Sequence, residues 1–169
     1  CEKPFNLELK AVTIVNGNTN VSHGCQNALL VLKTLNRMDV KVYGGAEENL
    51  MPKEVPIPHF HGEDGLKDIL MPSEKPSLDL VQKKHAVLAL RDLINEFPNE
   101  IVIFAIGPLT NIALLYKMYP GISAKIKELH LMGGNHLGYG NSTRSAEFNF
   151  FLDPEAAKIV LKQSQCKVV

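Results

Sequence analysis

The chain has no excess of charge: 18 Lys and Arg offset 18 Asp and Glu among its 169 residues, and neither sign clusters. The electrostatic footprint that nucleic acid or an anionic membrane surface requires is therefore missing, and the expected partner is small and neutral. Cysteine is scarce and odd in number, at Cys1, Cys25 and Cys166, with no Cys-x-x-Cys pair. That excludes a disulfide framework and makes a reducing compartment the simpler expectation. No apolar run approaches the roughly 20 residues of a membrane span, and Cys1-Glu2-Lys3-Pro4 carries no apolar signal region. Because the sequence does not start at methionine, no compartment follows from that. Repeats and low-complexity tracts are also absent. The glycine-rich stretch Gly133–Asn141 has neither the Gly-x-Gly-x-x-Gly order nor the Lys-Ser/Thr of a phosphate loop, so phosphate binding is disfavoured.

Short continuous apolar runs are present instead, and unbroken runs are what strands buried on both faces of a parallel sheet look like. Strands are expected near Leu9–Val15, Val40–Tyr43, Ile101–Ile106, Glu128–Met132 and Lys167–Val169. Helical patterns lie between them at Ser22–Asn36, Ser77–Phe97, Leu109–Met118 and Pro154–Lys162, with Ser22 and Ser77 as expected N-caps. Such alternation predicts an α/β fold with a doubly wound, mainly parallel sheet, whose ligands sit at the carboxyl ends of strands. The proline-rich segment Glu47–Pro76 interrupts it and reads as a long surface insertion. The length suits one domain spanning residues 1–169.

Three strand-like runs deliver small and amide residues at their carboxyl ends. Ala11–Val15 leads into Asn16-Gly17-Asn18, where Asn18 can both donate to and accept from a hydroxyl, although the pair taken alone is better explained as an ordinary turn. Ile101–Ile106 leads into Gly107-Pro108-Leu109-Thr110-Asn111, with Thr110 as an expected cap and an exposed peptide carbonyl that a hard cation such as calcium would accept. The third run ends in the glycine-rich stretch, which carries Asn141, Glu147 and Asn149. An amide, a carboxylate and a second amide suit a sugar. Asp153-Pro154 reads as an N-cap followed by proline in a first helical turn, so the residues before it are expected in a loop. Inside the insertion, His61-Gly62-Glu63-Asp64-Gly65 fits a mobile lid or, equally, a solvated acidic turn; its spacing excludes an EF-hand. His85 is expected to be structural.

These segments, in this order and spacing, resemble the inosine-uridine preferring nucleoside hydrolases. The resemblance rests on Gly17-Asn18, His61 to Gly65, Gly107 to Asn111, Met132-Gly133-Gly134, and Ala146-Glu147-Phe148-Asn149 through Asp153-Pro154-Glu155-Ala156-Ala157. It implies cleavage of the N-glycosidic bond of a ribonucleoside to ribose and free base, with a bound calcium ion. Thr110 would offer its backbone carbonyl to calcium. Asn18, Asn141, Glu147 and Asn149 would hold ribose hydroxyls, and His61 would lie on a flap near sugar or base. A homodimer or homotetramer is also implied, while a cytoplasmic setting is the expectation from the cysteine count and from an Asn141 kept free of glycan in the ribose loop. The family's Asp-x-Asp-x-x-x-Asp-Asp cluster, which supplies metal ligands and the general base, does not occur here, nor does its later metal-binding aspartate. The expectation is thus a nucleoside hydrolase-like domain incomplete at both ends, with no catalytic base of its own. The alternatives are a non-catalytic binder of nucleoside or ribose, a dimerising remnant, or another sugar-binding α/β protein.

Overall fold

The structure is a computed structural model and describes residues 7–51, 59–69 and 75–169. Its first unit is β1 (Ala11–Ile14), α1 (Val21–Thr34) and β2 (Lys41–Gly44). The strands pair in parallel, Ala11 opposite Lys41 and Ile14 opposite Gly44. Helix α1 starts directly after Asn20, whose side chain accepts from the His23 N–H at 2.8 Å, so Asn20 and not Ser22 is the cap. Val21, Cys25, Leu29 and Leu32 recur at helical spacing and bury against Val40 and Val42 to make a small core.

The second unit contains α2 (Ala86–Glu96), β3 (Val102–Ala105), α3 (Thr110–Met118), β4 (Glu128–Leu131), α4 (Phe148–Leu152), α5 (Pro154–Gln163) and β5 (Lys167–Val168). Its strands run parallel in the order β3-β4-β5. Ile94, Leu115, Leu129 and Val160 lie at the centre of its core, each fully buried. The α/β class and parallel pairing match the expectation from sequence. Among the described residues, however, the strands form two separate ladders: β1 bonds only to β2, and β3 bonds to β4 on one side alone.

The helix expected over Ser77–Phe97 is shorter. Ser77 caps only a 3₁₀ turn, Leu78–Leu80, and the chain then extends so that the Gln82 N–H bonds to Val42 O beside β2. The helix restarts at Ala86 with His85 as cap, its Nδ1 accepting from the Val87 N–H at 3.2 Å. His85 is structural, as expected. A sheet hydrogen bond outcompetes helix propensity at that point. The outer face of β3 is left open: Phe104 is 63% exposed and Ile106, just past β3, 70%. No described helix is long and apolar enough to cross a membrane.

Candidate functional site

At the carboxyl end of β1 the chain turns back: the Asn16 N–H donates to Ala46 O at 2.9 Å and the Gly17 N–H to Thr19 O at 3.2 Å. Gly17 is buried and packs against Pro108 of the loop after β3, while Asn18 stays exposed at the rim. The first and third strands thus deliver their loops to one place. Thr110 opens α3 but does not cap it; the cap position is Leu109, without a side-chain bond. The Thr110 residue is 1% exposed, which corrects the expectation of an exposed group, and its hydroxyl donates to Asp153 Oδ2 at 2.7 Å.

Asp153 is the expected N-cap of α5, accepting from the Ala156 N–H at 3.0 Å, with Pro154 in the first turn. Tertiary structure adds what the motif could not show. The same fully buried carboxylate also accepts from the Leu50 N–H at 2.9 Å, so one side chain joins the starts of α3 and α5 to the segment after β2. Asn111 belongs to the motif after β3 but was given no role of its own. It is 5% exposed, and it spans the two units: Oδ1 accepts from the Ala46 N–H and Nδ2 donates to Ile14 O, both at 2.9 Å. The available signal was an asparagine, a poor helix former, in the first helical turn after a buried strand.

The segment before Asp153 is not a loop. Glu147 caps the short helix α4, accepting from the Asn149 and Phe150 N–H groups at 3.0 and 3.2 Å and from the Gly134 N–H at 3.0 Å. An ionised carboxylate has about four acceptor sites, so these three bonds leave about one. The Phe150 ring lies on the Gly133 backbone where any Cβ would sit, which fixes α4 against the end of β4. Asn149 is buried and donates to Met132 O at 2.9 Å. Asn141 is exposed, and its Oδ1 accepts from the Phe148 N–H at 2.7 Å. Asn141, Glu147 and Asn149 are therefore brought together around one helix start. A cleft of about 420 Å³ opens beside them, lined by Gly134, Asn135, Ser145, Glu147, Phe150 and Phe151. Another, of about 480 Å³, lies at the opposite ends of α3 and α5 near Tyr116 and Lys162, away from the strand carboxyl ends.

His61 ends a 3₁₀ turn and meets the exposed Phe60 ring edge to face at 5.0 Å. The turn that follows is ordered from within. Asp64, 2% exposed, accepts from the Leu66 and Asp68 N–H groups, and Asp68 accepts in return from Glu63 and Asp64. Lys75 Nζ lies 3.1 Å from Asp64 Oδ2. The Leu66 N–H is the main reason the Asp64 carboxyl is held at about 2; burial works against it, and the Asp68 N–H and Lys75 add to it. Glu63 O and Asp64 O accept from Thr19 Oγ1 and Asn27 Nδ2, both at 2.7 Å, which docks the segment on the start of α1. Asp64 is hence withdrawn from solvent and bonded within the turn, while Glu63 and Asp68 stay exposed. The turn sits beside Asn18 and apart from the Glu147 group in its bonding.

Among the described residues no three His, Cys, Asp or Glu side chains gather as a metal site would require. Calcium collects about six to eight oxygens, so Thr110 with its neighbours among the described residues does not amount to a calcium shell.

The family model for the inosine-uridine preferring nucleoside hydrolases matches residues 2–169. Pyrimidine-specific ribonucleoside hydrolase RihA of Salmonella newport is 40% identical over 164 residues, covering 96% of this chain and 51% of that protein. A plant nucleoside hydrolase superposes with a TM-score of 0.87 at 32% identity, over 96% of this chain and 51% of its own. The purine-preferring ribonucleoside hydrolase of Gardnerella vaginalis gives 0.86 at 30% identity, over 95% and 51%. The chain spans about half the length of these relatives. Since the match runs through the Asn18 loop, the start of α3 and the Glu147 helix alike, the chain belongs to the inosine-uridine preferring nucleoside hydrolase family.

Proposed function

We propose that the protein carrying this chain hydrolyses the N-glycosidic bond of ribonucleosides, releasing ribose and a free base. The observation that supports this most is positional. Asn18, Thr110 and the Asn141–Glu147–Asn149 group all stand at carboxyl ends of parallel strands, where open α/β sheets bind ligands. The named relatives divide between pyrimidine and purine substrates. The base is accordingly left open, and the residues of this chain are assigned to the sugar, with His61 at the sugar or base from the docked segment.

Departure of the base leaves an oxocarbenium-like ribosyl cation, as in glycoside hydrolysis. Glu147 would accept from one ribose hydroxyl with its remaining site, and its charge, oriented by three backbone N–H groups, would stabilise that cation more than the neutral substrate. The Asn141 amide, with Oδ1 engaged, would donate to a second hydroxyl. Asn18 at the exposed rim and Asn149 behind Glu147 would complete the sugar contacts.

The family works with a metal ion. Calcium is the ion that the resemblance implies, with Thr110 contributing a backbone carbonyl. The described residues do not fit such a site on their own, so no step is assigned through it, and no general base is assigned to this chain. A cytoplasmic setting and a homodimer or homotetramer belong to the same proposal. One second reading is a ribose or nucleoside binder without turnover.

Ribose release from inosine and uridine, measured with and without added calcium, separates the two. Turnover that falls about 100-fold in Glu147→Gln supports the hydrolase. Calorimetric binding of either nucleoside without release supports the binder, and unchanged kinetics in Glu147→Gln removes Glu147 from the sugar site.

A further inference from the structure

We infer that Asn111 is a positioning residue for the sugar site, holding the Asn18 loop and the Gly45–Ala46 turn at a set distance from Thr110. Its kinetic consequence rests on the hydrolase proposal, whereas its structural consequence does not. The two strand ladders share no backbone pairing among the described residues. Their carboxyl ends are nevertheless in register, because the Asn111 amide reaches from the first turn of α3 to both strands of the other ladder. It donates to Ile14 O at the last residue of β1 and accepts from Ala46 N just past β2. The Asn16 N–H then closes the loop onto Ala46 O, so this side chain ties the segment that presents Asn18 to α3, beside the Gly17–Pro108 packing and the Thr19–Glu63 bond.

The chemistry admits few substitutes. Asp would keep the bond from Ala46 but could not donate to Ile14 O, and it would set a negative charge against that carbonyl. A hydrophobe would leave both backbone groups buried and unpaired. Gly45 shows the fit from the other side: a Cβ there would fall onto the Asn111 amide and onto Ile14 O. Gly45→Ala should thus displace Asn111 without altering it.

The test compares Asn111→Asp, Gly45→Ala and a core control on the same helix, Leu115→Ala, by residue-resolved hydrogen exchange and by nucleoside kinetics. Expected in the first two is about tenfold or faster exchange at the Asn16 amide. Their kcat should fall about 100-fold with KM changed less than about threefold, since a shift near 1 Å costs that much. Leu115→Ala should lower the Tm at least as far, yet leave Asn16 exchange and the kcat of folded protein within about twofold. If Asn111→Asp does not fold, Gly45→Ala carries the comparison. Asn16 exchange and kcat within about twofold of wild type in the variants, or the same losses in Leu115→Ala, would overturn the inference. A wild-type protein without turnover would overturn the hydrolase proposal alone, and the exchange at Asn16 would still decide the role of Asn111.

Discussion

The β1–α1–β2 unit and the β3-to-β5 unit use the same strand-helix-strand grammar, yet they are held together differently. Among the described residues the second buries a core of fifteen apolar side chains, the first only six. All four residues of β1 are only partly buried, whereas Leu129 in β4 is fully buried. The larger unit is ordered by its own packing. The smaller one is aligned on it by polar side chains, Asn111 to Ile14 and Ala46 and Asp153 to Leu50. Directional bonds carry little net energy, about 0.5–1.5 kcal/mol each, but they specify position closely. A site assembled across two such units depends on those bonds for geometry and on the cores for stability.

The sharpest way to break this arrangement is Asp153→Ala. It leaves the Thr110 hydroxyl and the Leu50 and Ala156 N–H groups without their acceptor. A loss of about 3–5 kcal/mol is expected in urea unfolding, and a protein that stays within about 1 kcal/mol of wild type would show the junction to be dispensable. Paired core truncations come next. Leu115→Ala and Leu29→Ala should each cost about 2–5 kcal/mol, the former lowering amide protection mainly in the β3-to-β5 unit, the latter mainly in α1 and β2. Equal loss of protection everywhere in both would mean that the units unfold as one.

A smaller effect is expected at the open face of β3. Phe104→Lys removes apolar surface that is 63% exposed and stacked on His130. Aggregation of the 169-residue polypeptide on size exclusion should fall, while stability changes by less than about 1 kcal/mol. No change in elution would place the aggregating surface elsewhere. The gentlest perturbation is pH. Asp64 is lowered from 3.8 to about 2 in the folded chain, so its stabilisation is complete above 3.8 and is lost as pH falls through that value toward about 2. Exchange at the Leu66 and Asp68 amides should accelerate over that window, beyond the intrinsic rate, and Asp64→Asn should remove the effect. A pH response unaltered in Asp64→Asn would point to another group.

Much of the architecture was legible in advance because it is local. Each strand expected from the sequence has its counterpart among the described residues, and Asp153-Pro154 marked the start of α5. Misplaced boundaries occurred where a distant partner intervened. Gln82 pairs beside β2 and delays α2 to Ala86, and the Glu147 carboxylate starts a helix where Asp153-Pro154 alone implied loop. The Asp64 turn looked like solvated charge because its acceptors are satisfied by N–H groups that only the folded backbone aims at it.

The order of strands and helices, the parallel class and the residue types fit for a sugar were determined by the sequence itself, since periodicity, caps and donor-acceptor chemistry are properties of short segments. Which of those residues meet was decided by tertiary structure alone. Asn111 lies 97 positions from Ile14 and Asp153 lies 103 from Leu50. No local pattern encodes such pairings, because a buried amide or carboxylate takes whichever partner the packing of the cores brings within hydrogen-bond reach.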